Sequence, residues 1–291
     1  MPNQPLKQHK SIEEQIKLLK SRGLIINDES KAAKILENIN YYRLSGYLHH
    51  FKIIGQDQYE ADLTFQKLIR IYSFDNKFTR ILMYALENIE ETYKTRFAYT
   101  ISAKYPNNSE IYLDNSIYRS VNEFNKFKKL FEDEKRANHG LPFIKHHNQN
   151  YNGQLPIWVA VEIMTMGNLQ SLYKNLKPIF QKAIAKTYNT GPKQMSSWLE
   201  NITFTRNHLA HFMRIFRYNF GRTPISCSNH GTFTGNGKIF DQLLLIHYMY
   251  SDSEEWNNYI IPELTRLINE YNDVVALTDI GFPVDWEKKL S

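Results

Sequence analysis

Thr64 to Lys104 reads TFQKLIRIYSFDNKFTRILMYALENIEETYKTRFAYTISAK, and this stretch decides the fold class. Phe65, Leu68, Ile69, Tyr72, Phe74, Phe78, Ile81, Leu82, Ala85, Leu86 and Ile89 recur at intervals of three and four. That spacing collects apolar side chains on one side of a 3.6-residue helix. The run predicts one long helix or a kinked pair, ended by Pro106-Asn107-Asn108.

The same period continues on both sides. Ser11-Ile12-Glu13-Glu14 is a capping box, Ile12, Ile16 and Leu19 follow at helical spacing, and Gly23 stops a helix over 11–22. Asn27-Asp28-Glu29 starts a second helix, which Ala32, Ala33, Ile35, Leu36 and Ile39 carry toward Asn40. Two short helices and a turn resemble a helix-turn-helix, so residues 1–62 are read as an N-terminal helical unit for RNA binding or dimer support. Residues 63–291 are then the main helical domain, with an Asn-, Lys- and His-rich excursion at about 106–154 that holds a helix over Val121–Arg136. Pro156 opens a helix over Ile157–Leu176, with Trp158, Val161, Met164, Leu169 and Leu172 inward, and Lys177–Tyr188 forms another. Ser196 or Ser197 caps a helix expected to run to about Tyr218. Gly221–Gly237 has no period and is a loop; helices over 238–250 and 253–272 complete the chain. Strand patterns are nearly absent, so the class is all-α.

The chain has 291 residues, with 19 Tyr and 17 Phe, enough to build a sizeable core by packing alone. The single Cys227 excludes an internal disulfide, and Met1 to Lys10 is polar with two prolines, which predicts a cytoplasmic protein without a secretion signal. No apolar run approaches the roughly 20 residues of a membrane span. A net charge of +6 and a pI near 9.1 suit a polyanionic partner.

Chemistry concentrates at Arg206-Asn207-His208-Leu209-Ala210-His211 and the following Phe212-Met213-Arg214-Ile215-Phe216-Arg217-Tyr218. On a helical wheel with Arg206 at zero, Arg217 falls at ~20°, Arg214 at ~80°, Asn207 at ~100°, Tyr218 at ~120° and His211 at ~140°. Ile202, Leu209, Phe212, Met213, Ile215 and Phe216 fill the opposite arc and are expected to face a core. His208 falls at ~200°, on the apolar side, so His211 is the candidate for catalysis and His208 a packed residue. The Arg-x4-6-His spacing recurs where Arg43 precedes His49 and His50, and the wheel and the adjacent Asn207 favour the later copy.

Asn40-Tyr41-Tyr42-Arg43-Leu44-Ser45-Gly46-Tyr47, Ala85-Leu86-Glu87-Asn88-Ile89-Glu90, Leu155-Pro156-Ile157-Trp158, Arg206-Asn207 with Ala210-His211, and Phe282-Pro283 before Asp285-Trp286 follow one another in this order. In this the chain resembles Abi-like proteins, the AbiD and AbiF type of bacterial abortive-infection factors, from about Ser11 to Glu287. Such proteins are similar to HEPN-domain ribonucleases, helical bundles in which Arg-x4-6-His marks the active site. The resemblance implies a phage-defence or toxin role, RNA cleavage, a homodimer with a composite site, and a small RNA as a possible antitoxin. Relatives often carry a second histidine after Ala-His where this chain has Phe212, and Leu-Trp-Asn where it has Ile215-Phe216-Arg217. That second histidine's role is therefore not carried over.

Metal-free RNA cleavage needs a group to take the ribose 2′-proton, one to protonate the leaving 5′-oxygen and one to hold the phosphate. Histidine, with an ordinary pKa near 6.5, suits the first two, and arginine's bidentate fork suits the third. His211 is expected to transfer protons, Arg206 to bind the phosphate and Asn207 to orient one of them. Arg214, Arg217 and Tyr218 are read either as contacts to flanking phosphates and bases or as a solvated, salt-bridged face. Tyr41, Tyr42, Arg43 and Tyr47 fit an RNA-stacking surface and domain packing alike. Glu87, Glu90 and Glu91 are within reach of the motif arginines, with at least two expected to be ordinary surface carboxylates. His49-His50 and His146-His147 lack the cysteine or carboxylate company of a zinc site, so no metal and no cofactor is expected. The competing readings are a non-catalytic module that holds a structured RNA, and an interaction protein that inhibits a replication component.

Overall fold

The computed structural model describes Leu6 and residues 8–291. The part of the Met1–Lys10 reading that rests on residues 1–5 and 7 lies outside the described residues.

The long apolar period forms one unbroken helix. It is the fourth in the chain, after α1 (Ile12–Ser21), α2 (Glu29–Asn38) and α3 (Tyr41–Leu48). This α4 (Phe65–Ser102) contains 38 residues, about 57 Å at the standard rise. No Gly or Pro interrupts it, and Thr64 caps it by accepting from Lys67 N at 3.0 Å. Leu68, Ile71, Phe78, Leu82, Ala85, Ile89, Tyr93 and Phe97 recur along its buried side. Burying each of the larger ones stabilises by about 1.5–3 kcal/mol, and Leu82→Ala would cost roughly 2–5 kcal/mol because a cavity remains.

The Ser11–Glu14 capping box forms as read, and Gly23 takes the left-handed φ of 89° that ends α1. The aromatic cluster after Ile39 is its own helix and not the tail of α2: Ile39 is extended, and Asn40 restarts the chain by accepting from Tyr42 N at 2.8 Å. The excursion holds two 3-10 turns (Ile111–Leu113 and Asn115–Ile117), α5 (Val121–Ala137) and α6 (Pro142–Asn150), with α5 packed on the helix Met166–Asn175.

The helix expected over 157–176 is broken in two. α7 (Ile157–Ala160) tightens into a 3-10 turn at Val161–Ile163, and α8 (Met166–Asn175) starts afresh because Thr165 caps Asn168 N at 3.2 Å. Val161, Met164, Leu169 and Leu172 face inward as expected, but Trp158 is exposed. α9 (Pro178–Lys186) and α10 (Pro192–Ala210) each open on a proline in the first turn, so Ser196 and Ser197 lie inside α10 and cap nothing.

After the 221–237 loop come α11 (Ile239–Met249), α12 (Ser253–Glu255), a π turn (Trp256–Ile260), α13 (Ile261–Glu270), α14 (Leu277–Ile280) and α15 (Trp286–Lys289). The fold is all-α, and among the described residues extended pairing is limited to isolated bridges. α3, α7, α9, α10, α11 and α13 pack around α4, and one hydrophobic core runs from Ile16 to Leu290. Among the described residues no helix is long and apolar enough to cross a membrane.

Candidate functional site

The end of α10 decides which residues of the motif stay exposed. The helix stops at Ala210, eight residues before the expected Tyr218. His211 is its C-cap, Phe212 enters the left-handed region at φ 55°, Phe212 N donates to Leu209 O at 2.9 Å, and Met213 N donates to His208 O at 3.1 Å. This is a Schellman stop, with phenylalanine where glycine is usual, a choice that costs on the order of 1 kcal/mol. With no glycine to mark it, the stop is hidden in the sequence. Phe212 and Met213, expected in the core, are 66 % and 50 % exposed. Ile215 and Phe216 are buried as expected, but they enter the core from the turn and not from a helix face.

A buried carboxylate holds that turn. Asp75, on the apolar side of α4, accepts from Ile215 N at 2.8 Å, Phe216 N at 3.0 Å and the Tyr47 hydroxyl at 2.9 Å. Burial pushes its carboxyl up to about 6, against the pull of those donors. Arg214 turns inward, donates to Gly46 O and lies 5.8 Å from the centre of the Tyr47 ring; burial pulls its pKa below the usual arginine value. His208 is buried, as the wheel implied, with Nε2 at 2.9 Å from Arg214 O, where it acts as donor. Burial also depresses its pKa. Tyr218 packs against His208 at a tilt of 41°, with ring centres 4.5 Å apart. Arg217, at φ 51°, pairs through Nε with Asp279 at 2.7 Å and donates to His50 O at 3.3 Å. The expected continuous face is therefore corrected: Arg214, Arg217 and Tyr218 do not extend the α10 row, because the chain reverses after His211.

Arg206, Asn207 and His211 remain together on the last turn of α10. Asn207 and His211 are exposed, Arg206 is partly exposed, and its Nη1 approaches Asn207 Oδ1 at 3.4 Å. Of Glu87, Glu90 and Glu91 on α4, Glu90 is the one paired with a motif arginine, with Oε2 at 3.8 Å from Arg206 Nε and Lys94 3.4 Å from its other oxygen. From α3, Arg43 donates to Phe212 O and its guanidinium lies 5.9 Å from the Phe212 ring centre, while Tyr42 projects into solvent. The earlier Arg-x-His copy is thus drawn into the later one. Its His50 is partly buried behind the turn, where burial and the nearby Arg214 and Arg217 pull its pKa down to about 4.

Sequence reasoning missed Asp75, although an acid at the i+4 position from Ile71 and i+7 before Leu82 on an apolar stripe is a readable signal. Among the described residues, no group of three or more His, Cys, Asp or Glu stands close enough to hold a metal ion.

An all-α bundle that displays Arg, Asn and His on one helix end, braced by a Tyr-Tyr-Arg helix, has the ordered motifs of one class of protein. The chain belongs to the Abi-like protein family, whose profile matches residues 34–217, from α2 to the Arg217 turn. Membership points to an abortive-infection role. No curated protein and no solved structure matches the chain.

Proposed function

We propose that the protein is a metal-independent endoribonuclease of the HEPN type, acting as a phage-defence effector through a site that two copies of the chain complete. The observation that carries this reading is the segregation at the end of α10: Arg206, Asn207 and His211 reach solvent while Ile202 and Leu209 on the same stretch of helix are buried. Exposed Phe212 and Met213 beside His211 form the kind of apolar surface that a second copy covers.

In the reaction, one His211 accepts the proton of a ribose 2′-hydroxyl as its oxygen forms a bond to phosphorus. The bond to the 5′-oxygen breaks, and His211 of the second copy protonates that oxygen. Arg206 donates to the phosphate oxygens and Asn207 orients its guanidinium, while Arg43 supplies further positive charge at the rim. The products end in a 2′,3′-cyclic phosphate and a 5′-hydroxyl. A small RNA held in the same cleft is the proposed antitoxin.

The test is cleavage of labelled single-stranded and structured RNA in EDTA by wild type and by His211→Ala. Cutting that yields cyclic-phosphate ends and disappears in the variant supports the enzyme. Tight binding without cutting by either protein favours an RNA-holding module, and fragments with a 3′-hydroxyl rule out this mechanism.

A further inference from the structure

Away from the α10 turn, one cavity of about 590 Å³ lies between residues 107–110, in the loop that follows α4, and α6, α7 and their connection. Trp158, Tyr151, His146, Asn107, Gln154 and Glu110 are among its lining residues, and no lysine or arginine is. Its volume falls in the range of small-molecule sites. Trp158 is 52 % exposed, whereas Trp198, Trp256 and Trp286 are 0, 1 and 5 % exposed. An indole left half in water at a cavity wall forgoes burial that this chain gives its other tryptophans. Tyr151, equally exposed, has its ring centre 5.7 Å from that of His146.

The wall that carries these rings is fixed. Ile157 N donates to Ser109 O at 2.8 Å, Leu155 N to Glu110 Oε1 at 3.1 Å, and the buried Tyr112 hydroxyl to Leu155 O at 2.8 Å. Planar faces, amide edges and one carboxylate, without a cation, suit an uncharged planar ring with donor groups on its rim and not a phosphate. A chain of contacts leads from the helix that carries Trp158 toward the α10 site: the backbone carbonyl of Glu162, one turn after Trp158, accepts from Lys94 at 3.5 Å; Lys94 pairs with Glu90, and Glu90 with Arg206.

We propose that this cavity is a base-stacking subsite, in which Trp158 and Tyr151 hold an unpaired nucleobase of the RNA whose phosphate lies at Arg206. This deepens the reading above and rests on RNA being the ligand.

Because Trp158 is the exposed tryptophan, its emission reports on the site. The full chain carrying His211→Ala, so that nothing is cut, is titrated with single-stranded oligoadenylate and with an abasic oligomer of equal length and charge. Saturable quenching by the first and not the second is expected. By anisotropy of the labelled oligomers, Trp158→Ala weakens oligoadenylate about tenfold and leaves the abasic oligomer unchanged, while Trp158→Phe retains most of the affinity. Equal affinity for the two oligomers, or unchanged binding by Trp158→Ala, overturns the proposal. Cleavage by the wild type is scored separately, so loss of the ribonuclease reading and loss of the subsite are different results.

Discussion

Within Arg206–Tyr218 the chain divides into an exposed half and a buried half. Arg206, Asn207 and His211 end a helix in water; His208, Arg214, Ile215 and Phe216 hold a turn against α3 and α4. Neighbours in sequence thus do opposite work, one set free to meet a ligand and the other already satisfied inside the protein. The difference teaches that charge alone does not mark a functional residue. Arg206 and Arg214 are eight positions apart on one motif, yet one faces solvent and the other a backbone carbonyl. If that division holds, changes in the first set should alter activity without stability, and changes in the second should do the reverse.

The largest effect is expected at His211. His211→Ala should lower RNA cleavage by about 10²–10⁴-fold, the usual contribution of a positioned proton-transfer group. Its melting temperature should stay within a degree or so of wild type, since an exposed side chain is removed. Steady-state cleavage beside a thermal melt checks both halves of the statement. A large loss of stability would place His211 with the buried set.

Asp75→Ala should do the opposite. It strands two backbone donors and the Tyr47 hydroxyl inside the core, at a cost of about 3 kcal/mol, and should lower the melting temperature by roughly 5 °C. Asp75→Asn keeps one acceptor oxygen and should lose less. A melt of Asp75→Ala that overlays the wild type would show that the turn is held elsewhere.

These two residues also show what the sequence made legible. The 38-residue α4, the Ser11 and Asp28 caps and the proline at the start of α9 are local signals, and each was readable from spacing and chemistry; Pro192 at the start of α10 was passed over for Ser196 or Ser197. His208 and His211 were separated correctly because α10 is helical up to Ala210. Beyond that point the wheel failed. A Schellman stop with Phe212 in place of glycine carries no sequence mark, and it forms because Asp75, 140 positions away from Ile215, supplies the acceptors that the helix would otherwise have provided. Arg43 at Phe212, and Glu90 at Arg206, are likewise products of packing between distant elements, invisible to any local pattern. Trp158 was misread because α7 ends at Ala160, so the single wheel over 157–176 that put the indole inward does not apply.

Acidity sharpens the comparison further, because two groups behind the turn titrate in opposite senses. His50, pulled down to about 4 from an ordinary 6.5, takes its proton in the unfolded chain first, so its contribution is present above pH 6.5 and is lost as pH falls toward 4. Asp75, pushed up to about 6 from 3.8, disfavours the folded state as pH rises through that same interval. His50→Phe should therefore remove the acid-side loss and leave the tilt from Asp75. Discounted for the part of the ring that solvent reaches, the difference should be about 1 kcal/mol between pH 6.5 and 4.5. Urea midpoints at the two pH values measure it, and parallel pH profiles for variant and wild type would remove His50 from the account.

The smallest effect tests the residue that joins the two halves. Arg43 belongs to α3, which braces the turn, yet its guanidinium lies at the solvent edge beside Phe212, the residue that follows His211. An exposed hydrogen bond of this kind adds little to stability, a few tenths of a kcal/mol. If Arg43 also meets an RNA phosphate, Arg43→Ala should weaken RNA binding by roughly threefold and reduce the slope of log affinity against log salt by about 1, while the melt barely moves. A lower melting temperature with an unchanged salt slope would assign Arg43 to the buried half, and the exposed site would then consist of Arg206, Asn207 and His211 alone on each chain.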